Sequence, residues 1–100
     1  MATVVEDLSP LAKLDLCRSH ADKAAWLLTE PQAVLLRLQI QVGFNFLHCG
    51  FGDGITALSA HVAALHAPRL ADGDLPATVV ARLEFEKSRM REIVRIGGRV

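Results

Sequence analysis

One hundred residues, 51% of them hydrophobic and with a formal net charge of zero, make a single domain large enough to hold a core without disulfide staples. The neutral balance argues against nucleic acid as the main partner, because phosphate binding needs a basic surplus. The two cysteines, Cys17 and Cys49, fit neither a disulfide framework nor a zinc motif and point to a reducing cytoplasm. The charged start, with Glu6 and Asp7, does not read as a signal peptide, and Ala33–Cys49 is too short and too polar to span a bilayer.

Charge is distributed unevenly. Residues 31–68 contain only Arg37 and Asp53, whereas the first 30 residues hold eight charges and the last 32 hold twelve. So apolar a segment must be hidden, inside the domain or against a partner.

The elements predict an all-α, four-helix domain over residues 9–97, with a loose lead-in at 1–8 and a tail at 98–100. The first helix is capped by Ser9, has Pro10 in its first position and runs to about residue 28. Leu11, Leu14, Cys17, Ala21, Ala25 and Leu28 form its apolar face. Ser19 and Asp22 offer a second capping signal that would split it. Trp26 lies off this face, so it either packs under the following turn or anchors a contact.

The second helix, about 30–49, opens with a capping-box pattern in which Thr29 caps and Gln32 reaches back. Arg37, Gln41, Asn45 and His48 make one narrow polar stripe, and apart from Gln39 the rest of the cylinder is apolar. An ordinary surface helix shows an apolar stripe of roughly 100°. This much wider one places the helix at the centre of the domain or at an interface. The alternation over 39–46 looks strand-like alone, but the long capped run around it favours helix.

Gly50-Phe51-Gly52-Asp53-Gly54 is the clearest turn, with Asp53 as a cap for the third helix, about 54–67, which Pro68 stops. That helix has a bulky face (Ile55, Leu58, Val62, Leu65) and an alanine face (Ala57, Ala60, Ala63, Ala64, Ala67). A loop over 68–74 leads to the last helix, about 75–96, capped by Asp74 and ended by Gly97-Gly98. Its core face is Val79, Val80, Leu83, Met90, Ile93 and Val94. Phe85, Arg89, Glu92 and Ile96 form a second stripe in which Phe85 and Arg89 are spaced to stack.

The second and third helices carry a further pattern. Gly52-Asp53 is followed by Ala57-Leu58, then Ala64-Leu65, then Pro68. Over residues 33–68 this resembles a single tetratricopeptide-type hairpin, whose small residues let two helices touch. Asn45 and His48 depart from that family's first helix, and no second copy follows. The resemblance implies an architecture like that of small bacterial secretion chaperones, which sequester apolar helices.

Chemistry-bearing sets are sparse. Cys17 and His20 stand one turn apart, His48 and Cys49 are adjacent, and His61 and His66 lie on different faces of their helix. None matches a zinc spacing. The glycine-rich turn follows a helix and lacks a lysine, so it does not read as a phosphate loop. No serine sits in a nucleophile elbow, and Glu84 and Glu86 point to different sides. The sequence therefore names no catalytic residue, cofactor or metal. The expectation is a non-enzymatic protein-interaction module: a homodimer, or an adaptor or chaperone that buries an apolar helix of another protein. Its candidate partner-binding residues are Phe44, Phe46, Phe51, Leu58, Val62, Leu65, Phe85, Arg89 and Ile96. The alternative is a helix-turn-helix-like regulator that presents Arg82, Arg89, Arg91 and Arg95 to nucleic acid. A pocket among His48, Cys49 and His61 would be needed for an enzyme.

Overall fold

The computed structural model describes residues 9–97, so the lead-in at 1–8 and the tail at 98–100 lie outside the described residues. Most of those described are helical and none forms a strand, and there are six helices where the sequence suggested four: α1 (Pro10–Asp15), α2 (His20–Thr29), α3 (Gln32–Arg37), α4 (Gln39–His48), α5 (Gly52–His66) and α6 (Ala77–Gly97).

Each extra break has a local cause. Ser9 caps α1 as expected, accepting from the Ala12 N–H at 3.2 Å. The split at Ser19 is the realised alternative: Ser19 Oγ accepts from the Asp22 N–H at 3.0 Å, and Asp22 accepts from the Arg18 N–H. A second N-cap inside one helical run commits the backbone to restart there. Thr29 does not cap the next helix. It closes α2, its hydroxyl donating to the Trp26 carbonyl, and Pro31 holds the N-cap position of α3. Glu30 precedes a proline and is extended, with φ −78° and ψ 141°, so the helix starts only after it.

The expected long second helix bends at Leu38, whose φ of −108° and ψ of 17° leave the helical region. The Gln39 side-chain amide donates to the Leu36 carbonyl at 3.2 Å. A side chain entering the backbone ladder in this way is a recognised cause of a kink.

The turn after α4 follows the sequence closely. Gly50 has φ +70°, the Gly50 N–H donates to the Leu47 carbonyl, and the Phe51 N–H donates to the Phe46 carbonyl at 2.8 Å. This is a Schellman ending, and its usual apolar contact is made by Phe46 and Phe51, edge to face at 5.1 Å. Phe51, not Asp53, holds the N-cap position of α5, while Asp53 sits in the first turn, where its charge suits the helix dipole. Gly54 is forced by packing, since a Cβ there would overlap the Phe51 ring and come within 2.9 Å of Phe46.

α5 is the hub: α6 packs along one side of it, and α3 and α4 pack along another. α2 lies across α6, and α1 folds back on α2. Leu14, Leu27, Leu35, Val42, Phe46 and Met90 are at most 1% exposed and bring five of the helices into one core. Trp26 belongs to this core and donates its indole N–H to the Pro10 carbonyl at 3.0 Å, which ties α1 to α2.

On α5 the alanine face is the better buried one. Ala57, Ala60 and Ala64 are at most 4% exposed, and the last two pack with Leu83 of α6. Small residues let α6 come close, whereas on the bulky face Ile55, Val62 and Leu65 remain only half-buried. On α6, Val80 leaves the expected core face and is 42% exposed, while Glu86 is buried beside Arg89.

A candidate interaction face

α4 is amphipathic in an unusual sense: both its sides carry large apolar groups. Val42 and Phe46 point inward and are fully buried. Ile40, Phe44 and Leu47 recur at steps of four and three, share the opposite face, and are 68%, 58% and 63% exposed. The sequence placed water on the side of Arg37, Gln41, Asn45 and His48. Asn45 instead turns inward, and its Oδ1 accepts from the ammonium of buried Lys23 at 2.8 Å. One polar residue of the stripe is thereby spent on satisfying a buried cation, and apolar residues take the outer surface.

Between α4 and α5 this surface opens into two adjoining hollows. One, about 420 Å³, runs from Gly43 along Ile55, Leu58, Ser59 and Val62. The other, about 400 Å³, lies over Ile40, Gly43, Phe44, Leu47 and Ile55. Gly43 sits between them with no side chain to fill either, and a Cβ there would meet only Leu58 Cδ2 at 4.0 Å. No lining residue is formally charged. The face therefore offers shape and apolar area, with Gln39 and Ser59 as the polar side chains among its lining residues.

The expected binding residues fall into three places. Phe44, Val62 and Leu65 lie on the outer sides of α4 and α5, exposed or half-exposed. Phe46, Phe51 and Leu58 are core, at 0%, 2% and 5% exposed, so they support the face from below. Phe85, Arg89 and Ile96 belong to α6. Phe85 and Ile96 are 61% and 51% exposed, and the Arg89 guanidinium lies 6.0 Å from the Phe85 ring centre. Ile40 and Leu47 were not singled out from the sequence, because the apolar girdle of α4 gave no reason to prefer one side until Phe46 and Val42 were seen to point inward.

Other side chains are engaged structurally. The Cys17 thiol is pushed above its ordinary pKa, chiefly by burial, with Lys23 opposing and Asp22 adding to the shift. It donates to the Lys13 and Asp22 carbonyls, so it is a protonated packing group. His20 stacks on Phe51 at 4.6 Å, with Nε2 3.1 Å from the Cys49 carbonyl. His61 is buried, with Nδ1 3.3 Å from the Gln32 amide nitrogen. Burial, and then the charge of Lys87, hold its pKa below the ordinary value, and the neutral ring can accept from Gln32. Among the described residues no three His, Cys, Asp or Glu side chains gather as metal ligands would.

The basic stretch of α6 is partly neutralised. Arg89 bonds Asp53 and Glu86, Arg95 bonds Glu92, and Lys87 lies 3.7 Å from Glu84. No helix of the described residues is long and apolar enough to cross a membrane. No family model matches this chain, and no curated protein or solved structure is significantly similar to it.

Proposed function

We infer that this protein is a non-enzymatic interaction module of the cytoplasm and that the outer face of α4, with the groove along α5, is where it binds another polypeptide. The observation that carries this reading is the cluster of Ile40, Phe44 and Leu47, each more than half exposed and with no charge among them. Taking about 200 Å² for a large apolar side chain in the open, the three expose roughly 400 Å². That is within the size of the largest apolar patch on a typical monomer, about 300–600 Å², a patch that is often functional. Helix-in-groove association uses the same spacing of apolar anchors. Cys17 and Cys49, both free thiols, fit a reducing compartment.

The test compares two phenylalanines of nearly equal exposure, Phe44 on α4 and Phe85 on α6. A photo-crosslinking amino acid is placed at either position in the full chain, inside the cells that make it. Protein adducts from position 44 and none from position 85 are expected. Adducts from 85 alone, or from neither, defeat the reading.

A further inference from the structure

We propose that the occupant of the α4–α5 face is a second copy of this chain, docked with its α4 antiparallel to the first about a two-fold axis. This rests on the reading of that face as a docking surface, and it adds the partner and its orientation.

The exposed strip is complementary to itself when reversed. A two-fold interface requires that if one residue meets a second, the second also meets the first. Turning α4 end for end about a point between residues 43 and 44 sets Ile40 against Leu47 of the partner subunit and Leu47 against Ile40 of the partner subunit. The same operation sets Phe44, a projecting ring 58% exposed, over Gly43 of the partner subunit, the position without a side chain. Knob and hollow lie side by side on one surface, so each copy supplies what the other lacks. Neither parallel pairing nor a shift by one residue keeps both matches.

Charge agrees with shape. The two hollows have no charged lining, so two copies meet without burying an unpaired ion. Arg37, exposed at the end of α3 just ahead of the strip, is carried toward the C-terminal end of the partner's α4, where a cation is favoured by the helix dipole. Antiparallel α4 helices also oppose their own dipoles.

Area requires both helices of the face. A stable interface takes about 800 Å² from each partner. Scaled by their exposures of 68%, 58% and 63%, the three α4 side chains at about 200 Å² each in the open give roughly half of that. The half-buried bulky side of α5, from Ile55 to Val62, lies along the same groove and extends the contact.

Sedimentation equilibrium of the full chain from about 1 to about 100 µM reads the association directly. Twice the chain mass is expected, with Phe44→Ala weakening the dimer by roughly tenfold or more, as for an interface anchor. Phe44→Glu should leave single chains whose helical circular dichroism is unchanged. Because Phe44 is exposed, loss of fold in either variant would itself contradict the placement. Orientation is read by joining Ile40→Cys and Leu47→Cys in a chain that also carries Cys17→Ser and Cys49→Ser, under mild oxidation. Two turns of one helix are about 10 Å, too far for a disulfide within a chain. Links between positions 40 and 47 of different chains are expected, whereas 40–40 and 47–47 links, or no link at a concentration where sedimentation shows this variant to be dimeric, overturn the antiparallel arrangement. A wild-type monomer throughout the range overturns the second copy as occupant. Adducts to other proteins at position 44 in cells would then leave the docking face standing with a different partner.

Discussion

α4 and α6 both pack against α5, and both keep bulky apolar side chains on the outside. On α6, Val80, Phe85 and Ile96 are 42%, 61% and 51% exposed. They are separated by charges: Lys87 with Glu84, Arg89 with Asp53 and Glu86, and Arg95 with Glu92. Apolar groups scattered singly among ion pairs are ordinary protein surface. On α4 the exposures are alike, but Ile40, Phe44 and Leu47 are neighbours and no charge divides them. Contiguity, not the exposure of any one residue, separates the two helices and is the ground for proposing α4, and not α6, as the docking face.

The largest expected effect tests the two sides of α4 against each other. Phe46→Ala should cost about 3–5 kcal/mol in urea unfolding, through lost burial and the cavity left behind. Phe44→Ala should change the stability of the single chain by less than about 0.5 kcal/mol when measured in dilute solution. Equal losses from these phenylalanines, two residues apart, would erase the division into a core side and a docking side.

The next effect concerns the polar residue that α4 turns inward. Asn45→Ala leaves the Lys23 ammonium buried without its partner and should cost about 1–3 kcal/mol. Lys23→Met fills similar space without charge and should lie within about 1 kcal/mol of wild type in the same denaturation series. A harmless Asn45→Ala would mean that Asn45 belongs to the solvent stripe after all.

Acidification should destabilise the fold through buried His61 of α5, whose ring meets Gln32 of α3. The folded-state pKa of His61 is held below the ordinary 6.5, so the unfolded chain takes the proton first as pH falls. The contribution of the neutral ring is full above about 6.5 and is lost as pH drops below that value toward the folded-state pKa. Urea midpoints measured from pH 7.5 downward should fall in that window, and His61→Gln should flatten the decline. The smallest effect is expected from Phe85→Ala on α6: under about 0.5 kcal/mol in stability and no change in association state. A change in association would transfer the interface from α4 to α6.

Local signals read correctly where they were self-contained. The Ser9 cap with Pro10, the Gly50 ending of α4 and the halt before Pro68 are decided within a few residues, and the structure follows them. The capping pair at Ser19 and Asp22 was visible too, as one of two options; their hydrogen bond selects the split. The bend at Leu38 was not legible, because the glutamine that produces it looked like one more residue in a helical run. The reading of Thr29 failed for a related reason: a capping pattern was present, but Pro31 forced Glu30 into an extended conformation.

The candidate face divides in the same way. By itself the sequence determined that the chain is helical, that residues 31–68 are nearly free of charge, and that α4 has more apolar surface than one buried side requires. Periodicity reports how much of a helix is apolar. It does not report which part of an apolar girdle meets a neighbour. Tertiary packing made that choice when the alanines of α5 drew α6 close on one side, when Val42 and Phe46 filled the core, and when Lys23 pulled Asn45 inward. Ile40, Phe44 and Leu47 were left outside around Gly43, because a helix that packs along one side has only one side covered.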